Sequence, residues 1–124
     1  MEERLAYATV VGQVVQRLRA RINQETLAQK AGLSQSTLSR FENGQSLPDA
    51  YELRRLASAL GKTTSELSTL IEQAFTRTKD VARKVSSDDT WAGIAAVAMV
   101  GFAMVGVVAV LEEQERKSKR KGRS

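Results

Sequence analysis

Between Gln24 and Glu42 the chain reads QETLAQKAGLSQSTLSRFE, and the spacing of its small and apolar residues leaves little choice of local structure. Leu27, Ala28 and Ala31 share one face of a helix that Asn23 is placed to cap. Gly32 can end that helix in the left-handed backbone conformation that residues with a Cβ resist. Ser34 is placed to cap a second helix, Gln35 to Glu42, with Leu38 and Phe41 inward and Asn43-Gly44 as its exit. Ala28 is small enough to let two helices cross closely, and Leu27, Leu33 and Leu38 fill the space between them. The pair is therefore predicted to lock at a steep angle.

The flanking sequence continues the same grammar. Val10, Val11, Val14, Val15 and Leu18 are spaced as one face of a helix. Asp49 with Glu52, and Thr63 with Glu66, are capping-box pairs. The first opens a helix through Tyr51, Leu53, Leu56, Ala57 and Leu60; the second opens one through Leu67, Leu70, Ile71, Ala74 and Phe75. Gly12, Gly32, Gly44, Gly61 and Pro48 punctuate these segments, and no run of alternating β-branched residues suggests a strand. Residues 1–75 are thus expected to form an all-α domain of five short helices. Residues 76–90, where Thr78, Val81 and Val85 prolong the apolar spacing thinly, are expected to form a helical stalk that frays near Ser86.

From Trp91 to Leu111 the composition changes: 21 residues, all Ala, Val, Gly, Met, Ile, Leu, Phe or Trp, with no charge. As a helix rising about 1.5 Å per residue this segment would be roughly 31 Å long, the thickness of a bilayer's hydrocarbon layer. A single transmembrane helix is expected, with Trp91 at the headgroup boundary. A buried oligomerisation helix is the alternative, but a segment apolar all round would need partners on every face.

The charge pattern refines the partner. The chain carries +5, with nine Lys/Arg against six Asp/Glu in residues 1–62 and six against three in residues 112–124. Bulk charge in the first half is a weak argument for nucleic acid, so the motif has to make it. The basic tail 112–124 would be kept in the cytosol by the positive-inside rule. A domain that meets DNA must lie there too, and one span cannot satisfy both. The folded domain is expected to fix the orientation in the cytoplasm, with the short tail crossing despite its charge. A re-entrant segment with the tail on anionic lipid is the other arrangement.

With no cysteine and no histidine, disulfides, thiolate nucleophiles, Cys/His zinc sites and Ser-His-Asp hydrolases are excluded. No carboxylate pair sits in a setting that would tune it for catalysis, so no enzyme, metal or cofactor is expected. The second helix of the pair instead projects Gln35, Ser36, Ser39 and Arg40 from an unobstructed N-terminus that can enter a major groove. Glutamine can pair with adenine N6/N7 and arginine with guanine O6/N7, each worth about 1–3 kcal/mol of base discrimination.

The stretch from about Gly12 to Leu70 resembles the DNA-binding domain of the Cro and phage-repressor (XRE) family, through NQETLAQKAG, LSQSTLSRFENG and LPDAYELRRLASALG. The resemblance covers about half of the chain. It implies a lambda-repressor-like fold, double-stranded DNA as partner and a dimer on two half-sites about one helical turn apart. It also implies roles for residues. Gln24 would touch a phosphate and brace Gln35, the adenine reader, with Ser36 and Arg40 at the other base-facing positions. Ser34, Thr37 and Asn43 would contact phosphates. Arg17 and Glu42 would form an ion pair tying two helices together, Arg17 adding a phosphate contact. Arg21 stands where the family often has glycine, so a slightly longer first turn is expected.

The resulting expectation is a membrane-tethered, sequence-specific regulator, most simply a repressor. Two other readings use the same fold: a membrane-anchored adaptor that docks a cytosolic protein, and an antitoxin. An adaptor should have lost the Gln24/Gln35 pair, which this chain keeps. An antitoxin needs a toxin-binding segment, for which the stalk is the spare candidate.

Overall fold

Local signals place the helix boundaries in the computed structural model, which describes residues 2–85. The elements are α1 (Glu2–Arg19), α2 (Gln24–Ala31), α3 (Gln35–Glu42), α4 (Ala50–Ala59) and α5 (Thr64–Val85). Asn23 accepts a hydrogen bond from the Thr26 amide at 2.7 Å, and Ser34 Oγ accepts from the Thr37 amide at 3.1 Å. At the starts of α4 and α5 both capping boxes close reciprocally: Asp49 with Glu52, and Thr63 with Glu66. The bonds that Glu66 exchanges with Thr63 hold its carboxyl below the usual range.

The helices bury one continuous core. Helix α1 packs on α3 and α5, α2 on α3 and α4, and α4 on α5. Val10, Val14 and Val15 of α1 meet Leu27, Leu38, Leu56, Leu67 and Ile71, each under 2 % exposed. Tyr51, expected on the apolar face of α4, is 67 % exposed. It lies in the first turn of α4, ahead of the buried Leu56 and Ala57.

Three features differ from the sequence reading. Helix α1 begins at Glu2, well before the stripe that starts at Val10. Gly12, read as punctuation, stands inside α1, because α1 and α3 approach on bare backbone there. A Cβ on Gly12 would stand 2.4 Å from the Phe41 carbonyl oxygen and 2.6 Å from that of Glu42. Between α1 and the Asn23 cap stand Ala20, Arg21 and Ile22. Ala20 adopts the left-handed region there, at φ 49°. Finally, α5 is a single helix of 22 residues.

The boundary expected after residue 75 therefore falls inside α5, whose Thr78 and Ala82 are buried. At the middle of α5, Tyr7 of α1 donates to Glu72 at 2.7 Å and meets Phe75 edge-on at 5.1 Å, and Lys79 lies 5.0 Å from the same ring. Burial, then the bond to Glu72 and its charge, push the Tyr7 hydroxyl up to about 12. Among the described residues no helix is long and apolar enough to cross a membrane. The segment from Trp91 to Leu111, the tail 112–124 and residues 86–90 of the stalk lie outside the described residues.

Candidate nucleic-acid interface

The turn between α2 and α3 is held by bonds at the end of α2. Gly32 adopts φ 69° and returns its amide to Ala28 and Gln29, while Arg55 reaches from α4 to donate its Nε to the Ala31 carbonyl at 3.0 Å. That arginine satisfies an end carbonyl of α2. The left-handed backbone holds this position to glycine; a Cβ there would lie 2.7 Å from the end of the Arg55 side chain, which is flexible enough to move aside. Leu38 and Phe41 anchor α3 from below, and Gln35, Ser36 and Arg40 remain exposed above.

The predicted contact residues on and beside α3 are not equivalent. Gln35 and Ser36 occupy the exposed first turn of α3, and Arg40 follows one turn later with its guanidinium 3.5 Å from Thr37 Oγ1. Ser39 is half-buried and accepts from the Asn43 side-chain amide at 3.3 Å, so its hydroxyl is partly engaged within the helix. Ser34 and Thr37, expected at phosphates, hold each other: Ser34 Oγ donates to Thr37 Oγ1 at 2.8 Å. Both stand at the start of α3, where free amides and the helix dipole favour an anion. Gln24 opens α2 beside them, 3.4 Å from Gln35.

The ion pair on Glu42 comes from Arg19, not from Arg17. Arg19 donates Nε to Glu42 Oε2 at 2.9 Å and Nη2 to Oε1 at 2.8 Å, and gives a further bond to the Ile22 carbonyl at 3.0 Å. Helix geometry explains the difference. Arg19 lies seven residues from Gly12 and four from Val15, on the face of α1 that meets α3. Arg17 is turned by about 200° from it, at 3.6 residues per turn, and is exposed. That face could have been read from Gly12 if its role had been recognised. Sequence reasoning also missed a contact of Glu42: the carboxylate, with 1 % of the side chain exposed, accepts from Gln24 Nε2 at 3.2 Å.

A two-helix unit with a capped, exposed second helix defines the class: a helix-turn-helix domain. Residues 16–67 match the helix-turn-helix family model, the XRE type, which spans α2, the turn, α3 and α4 with the end of α1 and start of α5. The match covers 52 of the 124 residues, and over them the chain is similar to a helix-turn-helix family of DNA-binding transcription regulators. No curated protein and no solved structure matches the chain.

Proposed function

We propose that the chain is a sequence-specific regulator that reads double-stranded DNA through α3 and represses by covering a promoter as a dimer. Gln35 and Arg40 read base edges, with Ser36 and Ser39 beside them. Gln24, Ser34, Thr37 and Asn43 grip phosphates, and exposed Arg17 is free to add a more distant one. The observation that carries the reading is the side chain of Gln35, exposed at the tip of α3 and met by the Gln24 amide. A helix that docked a protein would have no use for two amides held in register at its groove-facing end.

The apolar run from Trp91 to Leu111 supports a second element of the proposal: the regulator is held at the cell membrane with its DNA-binding domain in the cytoplasm. Tethering would raise the effective concentration of dimerising domains near the bilayer.

Selection from random duplexes with the full-length chain in detergent tests the first element. An enriched motif that disappears when Gln35→Ala and Arg40→Ala are combined is the expected result. Binding without sequence preference would instead favour the adaptor. For the second element, the full-length chain should sediment with membranes and be released by detergent but not by high salt. Recovery in the soluble fraction would remove the tether.

A further inference from the structure

The polar groups behind α3 form a directed chain that reaches from α1 to the exposed tip of the recognition helix. Arg19 fixes both oxygens of Glu42. Glu42 Oε1 accepts from Gln24 Nε2 at 3.2 Å, and Gln24 Oε1 accepts from Gln35 Nε2 at 3.4 Å. Each link has only one sense. A carboxylate has no proton to give, so the group of Gln24 that faces it must be the NH2 end. The Gln24 carbonyl then points the other way and can only accept, so Gln35 must face it with its own NH2 end.

We propose that Glu42, oriented by Arg19, is a specificity-determining positioning residue: it sets the polarity of the Gln35 amide through Gln24. With one N–H of Gln35 turned to Gln24, the carbonyl oxygen and the other N–H remain side by side. That is the acceptor and donor pair that matches adenine N6 and N7. Turned over, the same amide would place its donor where adenine also donates. The buried acid on the far side of α3 thereby selects the base without touching DNA. The inference rests on the proposed reading of DNA by Gln35.

The test uses the full-length chain on the duplex recovered by selection and on the same duplex with the base pair facing Gln35 replaced, and reads the ratio of the two Kd values. Gln35→Ala identifies that base pair. Glu42→Gln keeps an acceptor for Arg19 but removes the rule that only an NH2 group may face it. Gln24→Met breaks the chain and leaves the Arg19–Glu42 pair intact. Both should lower the ratio by roughly tenfold, the scale of one bidentate contact. Affinity for unrelated duplex should stay unchanged in Glu42→Gln, whereas Gln24→Met also loses a phosphate contact and weakens every duplex by a common factor that cancels in the ratio. A merely structural role would weaken both duplexes alike. If Glu42→Gln does not fold, Gln24→Met still decides. Folded variants that keep the full ratio, when Gln35→Ala loses it, would overturn the relay alone. A wild-type chain that shows no ratio would overturn the relay together with the reading on which it rests.

Discussion

The two seams of α1 are made in different ways. Toward α5 it is a clasp of large side chains, where Tyr7, Phe75 and Lys79 stack and interlock around the Glu72 bond. Toward α3 it is a seam of backbone against backbone at Gly12, closed at one end by the Arg19–Glu42 pair. A contact between side chains can yield by rotamer adjustment; one between backbones has no such slack. The rigid seam is the one that carries the helix expected to meet DNA.

That contrast predicts a graded response to substitution. Gly12→Ala should be the most damaging single change, costing about 3 kcal/mol because a methyl group must enter a space already occupied by carbonyl oxygens, read as a fall in the chemical denaturation midpoint. An equal methyl added on the α5 side and tolerated just as badly would erase the distinction. Ser34→Ala removes the α3 cap and should cost about 1 kcal/mol of stability by the same measurement. It should also weaken DNA binding on all sequences alike.

Ala20→Gly should act in the opposite direction. Relief of the left-handed backbone outweighs the added chain entropy, and a gain of about 0.5–1 kcal/mol is expected in thermal denaturation. The clasp should respond least at neutral pH, where Tyr7→Phe costs about 0.5 kcal/mol for one exposed hydrogen bond. Its signature is at alkaline pH. The Tyr7 hydroxyl titrates higher folded than unfolded, so its contribution is complete below the ordinary value of 10.0 and is lost as pH rises through about 12. Denaturation midpoints of the wild-type chain should fall across that window more steeply than those of Tyr7→Phe.

Much of this fold is legible in the sequence because its helix ends are chemically marked. Asn23, Ser34, Asp49 with Glu52, and Thr63 with Glu66 each bind the amides their positions suggest. The apolar spacing likewise finds Leu27, Leu38, Leu56 and Ile71 in the core. What is not legible is close approach. A glycine in a sequence suggests a turn, and nothing at Gly12 announces a second helix over it. Without that contact the face of α1 that meets α3 is undetermined, and Arg17 and Arg19 are equal candidates for Glu42. The acid's bond to Gln24 is hidden for the same reason, being fixed by where three helices converge and not by any local spacing.

The bare seam at Gly12 also bears on how the domain could be controlled. At Gly12, where no side chain separates them, α1 and α3 are joined like a lever: a push that rotates α1 is expected to carry α3 with it or to open the joint. A rotation imposed on the amino-terminal helix is thus expected to reach α3 through a stiff joint.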